Sequence, residues 1–281
     1  VLKKLTKLSL SYEKDGATWF KTTKLGKKED KVLVKSSGEP TYRLPDIAYH
    51  INKVERGFDL IVDVFGADHI DSYPDVLLAL DALGTPTDHI KVIIHQFVTL
   101  KKDNQTVKMS TRKANFVTLD ELIEKLNSDV IRYFFIMRGV NTHLDFDLDL
   151  AMDESEKNPV YYLQYAHARI SNLLKRFNKE ITSTSKANLS LLQKDDEIAL
   201  MKKLSDFPTK MNQVHESLEP KQLATYLEDL AAHYHKFYGN HKVINQDNIN
   251  LSLARMKLCE ATQIILKIGL SILGIQAPEK M

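Results

Sequence analysis

Hydrophobic positions along the chain change their period once, and that change divides the sequence into two regions of different class. Leu60 to Phe65 is a nearly continuous apolar run that stops at Gly66 and predicts a buried strand. Pro74 to Leu83 carries helical spacing and stops at Gly84, and Val92-Ile93-Ile94 predicts a second buried strand. Strand, helix and strand with short connections form a parallel-sheet unit, whose ligands belong at the carboxyl ends of its strands, here Gly66-Ala67-Asp68-His69 and His95-Gln96-Phe97. The first 45 residues read as short strands, with Asp15-Gly16 as a hairpin turn. Helices are expected after Thr118, which opens a capping box with Glu121, and after Ser128. Leu144, Phe146, Leu148 and Leu150 then alternate as in a strand. From Asn158 onward apolar residues recur at three and four, as in Leu163, Ala166, Ile170, Leu173 and Phe177. The expected architecture is therefore an α/β region over 1–150 followed by an all-α bundle over 151–281, with the boundary between Ala151 and Asn158.

Composition narrows the function classes. The 281 residues are 43% hydrophobic and 27% charged, ordinary globular usage that excludes a disordered or collagenous chain. Thirty-nine Lys and Arg against 37 Asp and Glu leave a net charge of +2, so no overall basic field announces nucleic acid, and the helical region has only a small basic excess. A lone Cys259 forms no internal disulfide, and the histidines lack metal-ligand spacing, so a reducing compartment is expected and a protein-bound metal is not. The apolar stretch near Ile264 to Ile275 is interrupted by Lys267 and falls short of the ~20 residues of a membrane span. The chain opens on Val-Leu-Lys-Lys, as a segment of something longer would.

Four features could carry chemistry. Lys108 to Lys113 puts three cations and two hydroxyls in six residues, a set able to hold a triphosphate, although most such runs are solvated turns. Tyr42 and Asp46 flank Pro45 just before a helical stretch. A buried carboxylate at Asp46 could take a cationic ligand and pair bidentately with a guanidinium, while helix capping is the plainer account of the same residue. Asp145, Asp147, Asp149 and Glu156 imitate a calcium loop, but Leu150 stands where the turn requires glycine, which rejects the motif. Asn158 to Arg169 is an aromatic-rich helix start followed by Lys175, Arg176 and Lys179. Its rings suit unpaired RNA bases, or equally a bundle core with hydroxyls at the rim.

Taken in order, Ser37 to His50, Gly66-Ala67-Asp68-His69, Lys108-Met109-Ser110-Thr111-Arg112, Asn158 to Arg169 and Ile272 to Met281 closely resemble the carboxyl-terminal half or more of the arginyl-tRNA synthetase family. That resemblance implies the second half of a Rossmann-like class I catalytic domain followed by a helical anticodon-binding domain. It also implies the reaction: ATP with Mg²⁺ and L-arginine form arginyl-adenylate, and the arginyl group passes to the terminal ribose of tRNA(Arg). By the family pattern Tyr42 and Asp46 line the arginine pocket, and Asp68 contacts the amino acid or the nucleotide. Gly66, His69 and His95 lie near ATP, and Lys108, Met109 and Ser110 begin the KMSKS signature that closes over the triphosphate. Tyr162, Tyr165, Tyr238 and Met281 touch the anticodon loop.

Two departures from the family pattern matter. The second signature lysine is Thr111, so Arg112 or Lys113 must supply the catalytic cation beside Lys108. The partner signature HIGH is absent from these residues and is expected upstream of Val1, so the isolated chain should be inactive. A monomeric cytoplasmic protein is expected. The competing reading is a non-catalytic RNA-binding module derived from a synthetase.

Overall fold

The structure is a computed structural model that describes residues 1–103, 105–107, 118–180 and 186–281, the side chains of Lys179 and Glu180 excepted. The chain forms two compact units, Val1–Phe97 and Val98–Met281. Packing thus divides the chain earlier than the change of hydrophobic period does. The reason is that Leu100, Leu122, Val130, Phe134 and Phe146 join the same apolar core as the later helices.

In the first unit, α1 (Leu2–Lys7) leads into an antiparallel sheet of β1 (Ser11–Lys14), β2 (Ala17–Phe20) and β3 (Lys31–Val34), in that order. A helix was not expected at α1, because one apolar pair in six residues gives little period. It forms because Leu5 is buried in a common core with Phe20 and Leu33. The β1–β2 turn is legible, since Asp15 and Gly16 both take positive φ (52° and 73°), as a tight hairpin needs. Next come α2 (Arg43–Glu55), β4 (Ile61–Gly66), α3 (Tyr73–Ala82) and β5 (Ile90–His95). β4 and β5 pair in parallel from Ile61 opposite Ile90 to Gly66 opposite His95. The run read as a fully buried strand is buried on one face only. Ile61 and Asp63 point inward, whereas Val62 and Val64 are 41% and 63% exposed, because only one face of the two-stranded sheet shares a core with α2 and α3.

The second unit opens with β6 (Val98–Lys102) and β7 (Gln105–Thr106), then α4 (Leu119–Lys125), α5 (Ser128–Ile136) and β8 (Leu144–Asp147), with sheet order β7-β6-β8 and β8 parallel to β6. The alternation expected to run through Leu150 breaks at α6 (Leu148–Met152). There the Asp147 carboxylate accepts the main-chain N–H groups of Asp149 and Leu150, both at 3.0 Å, and caps a helix instead. The bundle follows: α7 (Pro159–Glu180), α8 (Asp195–Ser205), α9 (Phe207–Ser217), α10 (Lys221–Asn240) and α11 (Ile249–Ile272). No described helix is long and apolar enough to cross a membrane. Cys259 lies fully buried on α11, where burial pushes its thiol up to about 12 and leaves it unreactive.

Close packing of α10 and α11 rests on Gly269. A Cβ there would come within 2.5 and 2.9 Å of the two methyls of buried Leu227. Gly269→Ala is therefore expected to destabilise the bundle by ~1–3 kcal/mol through overpacking. Gly239→Ala on α10, where nothing lies within 4 Å, is expected to cost nothing. Parallel urea denaturation of the two variants checks the contrast.

Candidate functional site

The first cluster of interest is at one end of the parallel sheet. Helix α2 starts at Arg43, two residues before Pro45, and holds Asp46 in its first turn. The carboxylate expected to be buried is only half-buried, because that turn caps an open helix end. Among the described residues it has no hydrogen-bond or ion-pair partner and caps no helix N–H, so it is available to a ligand. Tyr42, the residue preceding the helix, is 86% exposed. The crevice that Asp46 shares with His50, Phe65, His69, Ser72 and Tyr73 holds about 10 Å³, room for about one water and not for a side chain.

What anchors Asp46 was not read from the sequence. His50, one turn on, donates from Nδ1 to the Asp46 main-chain carbonyl (2.8 Å), and its Nε2 faces Asp63 Oδ2 at 2.8 Å. Lys53 pairs with the other Asp63 oxygen. All three side chains are buried. A second buried carboxylate, Asp75, receives Arg43 Nε at 2.9 Å and has Lys27 at 3.6 Å. The only advance signals were Asp63 interrupting an apolar strand and His50 and Lys53 at helical spacing.

The carboxyl ends of β4 and β5 bring Gly66 and His95 side by side. His95 donates Nδ1–H to the Gln96 carbonyl at 2.8 Å. Asp68 is largely exposed and folds back so closely that a Cβ on Gly66 would sit 2.6 Å from its Oδ1. His69 stacks on Phe65 with centroids 5.3 Å apart. Gly66, Asp68, His69 and His95 thus share one sheet end, as expected of a nucleotide-binding edge. Lys108, Met109, Ser110, Arg112 and Lys113 lie outside the described residues.

A second cluster stands on the bundle. The bundle's tyrosines divide: Tyr226 and Tyr234 on α10 are core, while Tyr162 and Tyr165 on α7 and Tyr238 on α10 are half-buried around His235 and Arg169. The Arg169 guanidinium lies 4.4 Å from the Tyr165 centroid and 5.2 Å from that of Tyr238, and Nη2 donates to the Tyr165 hydroxyl at 2.6 Å. His235 lies 4.8 Å from the Tyr162 ring, and burial, then the charge of Arg169, hold its pKa below the usual histidine range. Met281 is 55% exposed beside these rings. Arg169 was visible as the i+4 neighbour of Tyr165, whereas His235 required the tertiary fold.

A parallel-sheet unit with a histidine-bearing strand end, followed by a helical bundle with an aromatic and guanidinium surface, defines the later part of a class I aminoacyl-tRNA synthetase with its anticodon-binding domain. Family comparison agrees: the class I (R) tRNA synthetase catalytic domain matches residues 1–133, and the DALR anticodon binding domain matches residues 163–281. An arginine–tRNA ligase of Salinibacter ruber is 53% identical, covering 100% of this chain and 50% of that protein. One of Desulfotalea psychrophila is 48% identical, with 100% and 51% covered. The crystal structure of an arginyl-tRNA synthetase from Campylobacter jejuni superposes with TM-score 0.87 at 32% identity, covering 100% of this chain and 61% of that one. The chain belongs to the arginyl-tRNA synthetase family, and it spans about half the length of the curated relatives it matches.

Proposed function

We propose that these residues form the arginine-recognising and tRNA-reading part of a cytoplasmic arginine–tRNA ligase. The observation that carries the reading is Asp46: a carboxylate without a partner among the described residues, on a helix start held by buried His50, in a chain whose family relatives are arginine–tRNA ligases. Asp46 takes the substrate guanidinium, with the exposed Tyr42 ring beside it, and Asp68 serves the amino acid or the nucleotide. Gly66, His69 and His95 flank ATP, which enters with its Mg²⁺ as substrate. Lys108, Met109 and Ser110, with Arg112 or Lys113 in place of the second signature lysine, grip the phosphates. A carboxylate oxygen of arginine attacks the α-phosphorus in line, the bond to the pyrophosphate oxygen breaks, and pyrophosphate departs. The terminal ribose hydroxyl of tRNA then attacks the carbonyl carbon and expels AMP. Catalysis is mainly positioning plus cations on the leaving pyrophosphate. Tyr162, Tyr165, Tyr238 and Met281 contact the anticodon loop, and the helical region over 151–281 is its binding domain.

The test is arginine-dependent ATP–pyrophosphate exchange, assayed with tRNA(Arg) present. A form of the protein that also supplies a HIGH signature is expected to exchange, and the isolated 281 residues are not. Exchange driven by another amino acid would overturn the substrate assignment. Binding of tRNA with no exchange in the longer form would favour the non-catalytic RNA-binding reading.

A further inference from the structure

The last residues of the chain are held by a set of buried polar groups that the proposed reaction does not use. Gly274 (φ 70°) ends α11, and the chain continues through Ile275, itself buried, to Met281 without regular structure. Along this tail three anchors take hold in order. Asp129, in the first turn of α5, accepts the Gln276 main-chain N–H at 3.1 Å through Oδ2. Gln164 on α7 donates through Nε2 to the same Asp129 oxygen (2.9 Å) and to the Gln276 carbonyl (3.0 Å). His167, one turn further, donates to the Pro278 carbonyl at 2.8 Å. Exposed Lys175 then pairs with Glu279 at 2.7 Å. Asp129, Gln164 and His167 are 6%, 8% and 2% exposed, so each forms its bonds away from water, where an unmade bond is costly.

Two residues beyond the last of these anchors stands Met281, which with Tyr165 lines two cavities whose charged groups differ in sign. One, of about 570 Å³, carries Glu154 and Glu156 beside Tyr161. The other, of about 260 Å³, carries Arg169, Arg176 and Asn172 beside Tyr238. A phosphodiester belongs with the guanidiniums and is repelled by the carboxylates, and a base has tyrosine faces on which to stack. Met281 and Tyr165 line both cavities, which places them where the two meet.

We infer that Gln164, acting with Asp129, is a positioning residue for tRNA: it latches the carboxyl-terminal tail so that Met281 separates the acidic cavity from the basic one and sets which way a loop nucleotide enters. This rests on the proposed tRNA-binding role of Met281 and deepens it. Gln164 touches no nucleotide itself; it acts through the tail.

The experiment is a double-mutant cycle on tRNA(Arg) dissociation constants, measured at one salt concentration with the enzyme form used for the exchange assay. Gln164→Glu places a second carboxylate against Asp129 and is expected to weaken tRNA binding about 10-fold. In a background lacking Met281 the same substitution is expected to change binding less than 2-fold, because the residue it positions is already gone. An equal loss in both backgrounds would mean a merely structural glutamine and would overturn the inference, as would no loss in the first. Gln276→Pro removes the N–H that Asp129 accepts while leaving α5 and α7 unaltered, and it should reproduce the 10-fold loss if Gln164→Glu folds poorly. Deleting Met281 alone separates the two levels: unchanged tRNA affinity there defeats the tRNA-binding role of the tail itself, whereas a loss there with a silent Gln164→Glu and Gln276→Pro defeats only the latch.

Discussion

Replacing Asp46 with asparagine is expected to lower kcat/KM for arginine about 10²- to 10³-fold in the activation step, with the ATP requirement unchanged. Removing one member of a desolvated charge pair costs ~2–5 kcal/mol, and each ~1.4 kcal/mol is tenfold in rate. The upper end of that range is not expected, because the carboxylate is half-buried rather than sealed off. The loss should fall mainly on recognition of the cation. Wild-type Asp46 is expected to reject citrulline, whose neutral urea group leaves the carboxylate without its charge partner, and to disfavour lysine, whose ammonium lacks the planar fork. In Asp46→Asn the preference for arginine over citrulline should collapse along with activity. Pyrophosphate exchange with arginine and competition by citrulline together check this, and kinetics indistinguishable from wild type would remove Asp46 from the pocket.

This outcome separates position from burial, which is also where sequence reasoning reached its limit. That Asp46 sits in the first turn of a helix was legible from Pro45 and the spacing that follows, and the helix starts at Arg43. Its exposure was not, because burial is set by what other segments pack against that turn. The strand run at Leu60 to Phe65 fails for the same reason: apolar composition suits a strand covered on both faces, yet Val62 and Val64 face outward. Local rules succeed where the determinant is local. Asp15-Gly16 adopts the positive φ pair of its turn, and Thr118 accepts the Glu121 N–H at 3.1 Å, the N-cap half of the expected box. Where a side chain makes a stronger local bond than the pattern allows for, the pattern loses, as when Asp147 caps α6 and ends the alternation. In the bundle, helical spacing identified the face bearing Leu163, Ala166 and Ile170, all fully buried. It could not divide the tyrosines, because a half-buried ring and a core ring share the same period.

The His50–Lys53–Asp63 cluster makes the complementary case, a long-range device of which the sequence shows only an aspartate in an apolar strand and two polar residues at helical spacing. Asp63 sits on β4, and His50 and Lys53 sit on α2, so one carboxylate ties the helix bearing Asp46 to the sheet whose end bears Gly66. Asp63→Ala is expected to destabilise the first unit by ~3–5 kcal/mol, because Lys53 is left buried without its counter-charge and His50 Nε2 without its hydrogen-bond partner. Coulomb attraction alone does not make such a cluster stabilising, since removing its charges from water costs several kcal/mol per ion. The combined replacement His50→Leu, Lys53→Met and Asp63→Leu should therefore recover most of the stability that the single substitution loses. Trp19, the single tryptophan, lies on β2 in this unit, so its fluorescence during urea denaturation reports the transition directly. The triple variant separates the two duties of the cluster. Stability should return, but arginine activation should not, since the Asp46 carbonyl would have lost the His50 N–H that holds it. Recovery of both would mean that the cluster serves only to hold α2 on the sheet; recovery of neither would mean that apolar packing cannot replace it.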